Sequence, residues 1–216
     1  MQQDDKLKLF SEDEPRIGVI VGTGPSLTSD QLNKVSHLKR FGANRSFEFD
    51  LDVITGCNYQ FWDYYWSQVK EYRCAKWTTQ PGSADKYGIN YIAGLWESGL
   101  SIDKNYIHYH HGSGPQMVNI ALHYGCEVMI LIGWDMRYPP GQERHYFGED
   151  ALTKGHHPRT GPQGQWNGLI KEMETINPSD YGIEIINCTP DSAMTCFPSM
   201  DLDKALEFYN VANAGS

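Results

Sequence analysis

Apolar runs and polar breaks divide this chain into short alternating units. The run Arg16-Ile-Gly-Val-Ile-Val21 is β-branched and stops at a glycine, which predicts a buried strand. Gly22-Thr-Gly-Pro-Ser-Leu27 follows as a turn, and Thr28-Ser29-Asp30 offers N-caps for a helix over roughly 30–39. Further strands are predicted at 47–54, 106–109, 128–132 and 183–187. Helices are predicted at 61–72, 115–124, 166–176 and 201–209. The helix at 115–124 opens with Pro115 and closes before Gly125, the expected asymmetry of helix ends. Asn177-Pro178 stops the one before it.

Strands that alternate with helices predict an α/β fold with an open, mostly parallel, doubly wound (Rossmann-like) sheet. Residues 1–15 are polar and acid-rich and read as a flexible leader, and 16–210 as a single nucleotide-binding domain. The segment 137–164 is rich in Pro, Gly and His without any period. It is too long for an ordinary connection and reads as a lid-like insertion.

Charge narrows the partners. The formal net charge is −9, and the 18 Lys and Arg are scattered, so no basic surface for tight nucleic-acid binding is visible. The same distribution disfavours an anionic membrane surface. No stretch approaches the ~20 apolar residues of a membrane span. The five cysteines form no CxxC pair, which argues against a zinc or redox motif and for reduced thiols in a cytoplasm. A homo-oligomer is left open.

Four segments carry candidate chemistry. In the first, Gly22-Thr23-Gly24-Pro25-Ser26-Leu27, glycines permit close backbone approach. Free N–H groups at the following helix would attract an anion, and Ser26 adds a hydroxyl. There is no Walker lysine, and Leu27 stands where a dinucleotide fingerprint has its third glycine. The other reading is a tight turn without a ligand. In the second, His110-His111-Gly112-Ser113-Gly114-Pro115, a strand again gives way to a helix through glycine, which suits phosphate or ribose. His108, His110 and His111 raise a metal site, but strand alternation points His110 and His111 to opposite faces. The third is Gly133-Trp134-Asp135, whose carboxylate either reads a ribose or substrate hydroxyl or caps a turn. The fourth lies in the long loop, where His145, Tyr146, His156, His157 and Arg159 offer acid–base and phosphate-binding groups, or a solvated surface.

In order along the chain, Val19–Leu27, Asn44, Asn58, Gly112-Ser113-Gly114, Ala121-Leu-His-Tyr-Gly125 and Gly133-Trp-Asp135-Met-Arg-Tyr138 resemble the bacterial CMP-sialic-acid-dependent sialyltransferases. The opening run is equally similar to Maf-type flagellin-glycosylation proteins and archaeal 6-hydroxymethylpterin diphosphokinases. The end, Asn187–Ser192 with Phe197-Pro198, resembles the Maf-like group.

The resemblance implies a metal-independent glycosyltransferase with a nucleotide-sugar donor as co-substrate and no other cofactor. Gly22, Thr23, Gly24, Pro25, Ser26, Asn44, Asn58, Gly112, Ser113, Gly114, Gly133 and Asp135 would hold the donor. Tyr138 and Tyr146 would face the leaving phosphate, and His157 or His156 would be the base. The family arginine before the Ser-Gly turn is replaced here by His110 or His111, so the resemblance does not carry sialic acid over as the donor sugar. Two alternatives are a pterin-type phosphotransferase, with Asp135 as a Mg²⁺ ligand, and a nucleotide-binding protein without catalysis.

Overall fold

The protein is described from a computed structural model, which covers residues 7–108, 112–137, 145–148 and 161–211, with side chains from Trp166 onward in the last segment. Seven strands form one parallel sheet in the order β5-β4-β3-β2-β1-β8-β9. They are β1 (Ile17–Val21), β2 (Lys39–Ala43), β3 (Val53–Thr55), β4 (Ala75–Thr78), β5 (Asn90–Tyr91), β8 (Val128–Ile132) and β9 (Glu184–Asn187). A separate two-stranded parallel sheet pairs β6 (Ala93–Leu95) with β7 (Tyr106–His108). The helices are α1 (Ser29–Lys34), α2 (Tyr59–Val69), α3 (Pro81–Tyr87), α4 (Ser113–His123), α5 (Gly161–Met173) and α6 (Leu202–Phe208). The expected open, doubly wound parallel sheet is thus the observed fold.

Strand alternation divides the core into two faces. Ile20, Phe41, Val53, Trp77, Met129 and Leu131 point to the side covered by Met117, Ile120 and Tyr124 of α4 and by Leu169 and Met173 of α5. Val19, Val21, Ile130 and Ile132 point to the other side, against Leu202, Ala205 and Leu206 of α6. Ile54 joins Phe61, Trp62 and Tyr65 of α2. These central strands read as unbroken apolar runs because both of their faces are buried.

Several elements differ from the sequence reading. The strand expected at 47–54 is a 3-10 helix, Asn44–Phe49, followed by the short β3. The true second strand is Lys-Arg-Phe-Gly-Ala, whose mixed polarity hid it, and it begins inside the helix expected to reach 39. Lys39 pairs with Glu14, and the Arg40 guanidinium pairs with Asp50, so both charges are met at the strand itself. The sequence reading missed β4, α3, β5 and β6, which carry little apolar periodicity. The described part of the strand expected at 106–109, Tyr106–His108, lies in the small sheet, not the main one. Helix α5 starts at Gly161, inside the stretch assigned to the lid. From Leu7 onward the leader is not loose: Leu7 is buried in the core, and Leu9 and Phe10 pack on it.

The chain fills the sheet outward from β1 to β5, then returns to the other side of β1 with β8 and β9. The strand order therefore reverses between β1 and β8. In open parallel sheets, ligands bind beyond the carboxyl ends of the strands at such a switch point.

One buried network ties the small sheet to α4. The Asn119 side chain accepts from the backbone N–H of Ser101 and of His108, and its Nδ2 donates to Ser101 O. His123 Nε2 donates to the same carbonyl at 2.8 Å, while its buried Nδ1 has no partner. Burial holds the His123 pKa below the ordinary value, against the pull of the Ser101 carbonyl. Lys104 and His108 push the same way as burial, and Asp103 opposes it.

The unfolded chain takes up this proton near pH 6.5, whereas folded His123 resists it. Its stabilising contribution is therefore complete above that pH and is lost as pH falls toward the depressed folded value, at up to about 1.4 kcal/mol per pH unit. Urea unfolding at several pH values is expected to show that this slope disappears in His123→Gln.

Candidate functional site

The turns after β1 and β8 are locked together. Gly22 N–H donates to Ile132 O at 2.8 Å and Gly24 N–H to Gly133 O at 2.9 Å. A Cβ on Gly22 would overlap the Gly133 carbonyl, and one on Gly24 would overlap Asp135 Oδ2. Gly133 has φ +69, the left-handed conformation that glycine adopts without strain. Trp134 fills the space beneath: its Nε1 donates to Ile20 O at 3.0 Å, and its ring passes 3.1 Å from where a Cβ on Gly114 would sit. From the far side, Thr189 Oγ1 accepts from Trp134 N–H and Ser192 Oγ donates to Trp134 O.

Asp135 is 5% exposed. Its carboxylate accepts from Ser26 N–H at 3.2 Å and from Ser26 Oγ at 2.8 Å. Burial pushes its pKa above the ordinary carboxylate range, and the two bonds from Ser26 oppose that shift. Part of the anion cradle expected at the first turn is therefore committed inside the protein. The N–H groups of Gly22, Gly24, Ser26 and Leu27 all donate within the protein, and the nearest charge is a carboxylate. Pro25 has no N–H to offer. Asp135 serves as the clamp of the turn, and its commitment to Ser26 also weakens it as a Mg²⁺ ligand.

Several side chains gather beside the end of β1. Thr23 Oγ1 lies 3.3 Å from His145 Nδ1, and Thr23 O accepts from Tyr146 N–H at 2.8 Å. The Tyr146 hydroxyl is 3.2 Å from Ser29 Oγ. The segment is held by rings: Phe147 stacks on Phe49 with centroids 4.8 Å apart, and the Arg45 guanidinium lies 4.3 Å over Phe147. This places a histidine and a tyrosine beside the end of β1.

The remaining predicted residues line the same edge. Asn44 follows β2 directly, with φ +54, a conformation asparagine tolerates better than most residues. Asn58 follows β3 as the exposed N-cap of α2, without a side-chain capping bond. Gly112, Ser113 and Gly114 open α4, and Ser113 Oγ lies 3.0 Å from Cys57 Sγ. Tyr138, His110, His111, His156, His157 and Arg159 lie outside the described residues. His108 sets its ring against Ser98 O and Glu97.

The sequence reading missed Cys57, Thr79 and Gln116. Burial pushes the Cys57 thiol pKa up, opposed mainly by the Ser113 hydroxyl. The Gln116 amide lies close enough to act on that thiol, yet neither its Nε2 nor its Oε1 makes a hydrogen bond, and the residue is wholly buried. Thr79 is buried with its hydroxyl unpartnered. For Gln116 the available signal was its place among the apolar residues Met117, Val118 and Ile120 of the same helix.

No family model and no curated protein sequence matches this chain. Among solved structures the fold is similar to the monofunctional alpha-2,3-sialyltransferase Cst-I of Campylobacter jejuni. The TM-score is 0.51 at 12% identity, over 97% of this chain and 86% of that one. This likeness shows the sialyltransferase-like fold. It does not extend to the Maf or pterin diphosphokinase proteins. Among the described residues, no helix is long and apolar enough to cross a membrane.

The clamp has a measurable consequence. Asp135→Ala leaves the half-buried Ser26 donors without their acceptor and is expected to cost about 1–2 kcal/mol of stability, read from chemical denaturation. Gly24→Ala is expected to destabilise the free protein as well, because its Cβ meets Asp135. An effect confined to ligand binding would contradict the clamp.

Proposed function

We propose that the protein is a group-transfer enzyme acting on a nucleotide-activated donor, a sialyltransferase-like glycosyltransferase that needs no metal. The observation that carries this reading is convergence. Thr23 from the end of β1 meets His145 and Tyr146 beside the β1/β8 switch point, and Asn58 from the end of β3 and Ser113 from the start of α4 lie further along the same carboxyl edge. The fold similarity to a glycosyltransferase supports it.

The mechanism is positional. Hydroxyl donors aimed at the leaving phosphate stabilise charge that develops as the glycosidic bond breaks. Tyr146, with Thr23 next to it, and Tyr138 are proposed for that role. Gly112, Ser113, Gly114, Asn44 and Asn58 are proposed to hold the nucleoside or the sugar. A histidine removes the acceptor proton; His157 is proposed, with His156 as its substitute. His145 positions Thr23 through the 3.3 Å contact. The amides of Gly22, Gly24, Ser26 and Leu27 are already bonded internally, so these side chains are proposed to carry most of the phosphate recognition.

Thermal shift against CMP and UMP tests the reading. A nucleotide at about 100 times its dissociation constant is expected to stabilise the protein by about 2.7 kcal/mol. Thr23→Val and Tyr146→Phe are expected to weaken binding about tenfold, the scale of one hydrogen bond. His157→Ala is expected to retain affinity and lose about 10²–10⁴ in turnover. Absence of binding by both nucleotides and by nucleotide sugars would overturn the proposal.

A further inference from the structure

Beyond the carboxyl ends of β3 and β4 lie two buried polar side chains without a hydrogen-bond partner, Gln116 and Thr79. Val53 and Trp77 face α4, and Thr55 pairs with Trp77 in the β3–β4 register. Just past the ends of these strands come Cys57, two residues after β3, and Thr79, directly after β4. The contact between Cys57 Sγ and Ser113 Oγ at 3.0 Å brings the start of α4 onto this corner. One turn into α4, Gln116 turns its amide toward the thiol. Its Nε2 and Oε1 are unpartnered at 0% exposure, and so is the Thr79 hydroxyl at 8%. Asn58 forms the exposed rim.

An unpaired buried amide is costly, and its retention calls for something that pairs with it. Here the neighbours are neutral hydroxyls and a thiol that burial keeps protonated. The Gln116 amide presents a donor and an acceptor side by side. A carboxylate or phosphate could use Nε2 but would be repelled by Oε1. A complementary ligand group offers an acceptor and a donor together, as does a nucleobase edge, an acetamido group or a pair of vicinal hydroxyls. With strands spaced about 4.8 Å apart, this corner lies roughly 10–14 Å along the sheet edge from the Thr23 end of β1. That separation places it at the far part of a nucleotide-sized ligand whose phosphate lies near Thr23.

We infer that Gln116, with Thr79, Cys57 and Ser113, forms a subsite that recognises the uncharged hydrogen-bonding part of the ligand, its base or its transferred sugar. This rests on the nucleotide-donor reading above. The weak thiol–hydroxyl contact between Cys57 and Ser113 is the gate, since a ligand hydroxyl or amide can replace either partner.

Calorimetry with CMP, UMP and UDP-N-acetylglucosamine on the full chain tests it. Gln116→Met keeps the side-chain length and removes both polar atoms, and Thr79→Val is a near-isostere that removes one. Each is expected to weaken binding, by about 10–100-fold for Gln116→Met and less for Thr79→Val. Equal loss for all ligands that bind the parent assigns the base to the subsite; loss confined to the nucleotide sugar assigns the transferred group. The melting temperature of free Gln116→Met is expected to stay level or rise, because an unsatisfied amide is removed.

Parent-like affinity in both variants would overturn the subsite while leaving the nucleotide reading standing. A clear fall in melting temperature would also overturn it, by showing the amide satisfied in the free protein. If the parent binds none of the three ligands, the nucleotide reading fails and the subsite falls with it.

Discussion

The rest of the candidate site depends on the close approach of two backbone turns, one after β1 and one after β8. Gly22 and Gly24 lie so near Gly133 and Asp135 that a methyl group on either would collide with them. Two amide-to-carbonyl bonds, the Trp134 indole bond to Ile20 and the paired bonds from Ser26 to Asp135 close that seam. It sets where Thr23 points and, through the Trp134 ring, where the start of α4 sits. His145 and Tyr146 then dock on Thr23, and Ser113 reaches Cys57 from the other side.

This seam changes the meaning of the glycine pattern. Read along the chain, Gly22-x-Gly24-Pro25-Ser26 suggests an anion cradle built of amides. In the folded protein the glycines serve backbone-to-backbone packing, and the amides of Gly22, Gly24, Ser26 and Leu27 are bonded within the protein.

The sheet's centre was legible because β1 and β8 are continuous apolar runs, buried on both faces, and helices α4 and α6 carry clear periodicity and ends. The strands β2 and β4 were not. Lys39 and Arg40 look like loop residues until Glu14 and Asp50 are seen beside them, and Ala-Lys-Trp-Thr has too few apolar residues to stand out. At the site, Asn44 and Asn58 were found only through the resemblance to the sialyltransferases, whereas the glycine turns could be located because each follows an apolar strand or opens a helix. The clamp role of Asp135 could not, since it depends on a contact spanning 109 residues. Gln116 was hidden for a related reason: a polar residue among apolar neighbours on a helix announces itself only when its burial and lack of partners are known.

The account places ligand recognition at the carboxyl edge, from Thr23 across to Gln116. A shallow groove lined by Trp66, Lys76, Tyr87 and Asn90 lies at the opposite, amino-terminal ends of β4 and β5 and offers a clear contrast. Backbone amide chemical-shift mapping during titration with CMP or UMP separates the two. The account predicts that the largest shifts fall on Thr23, Asn58, Ser113 and Gln116, together with His145 and Tyr146. Shifts centred on Lys76 and Asn90, with the residues around Thr23 and Ser113 unmoved, would contradict it.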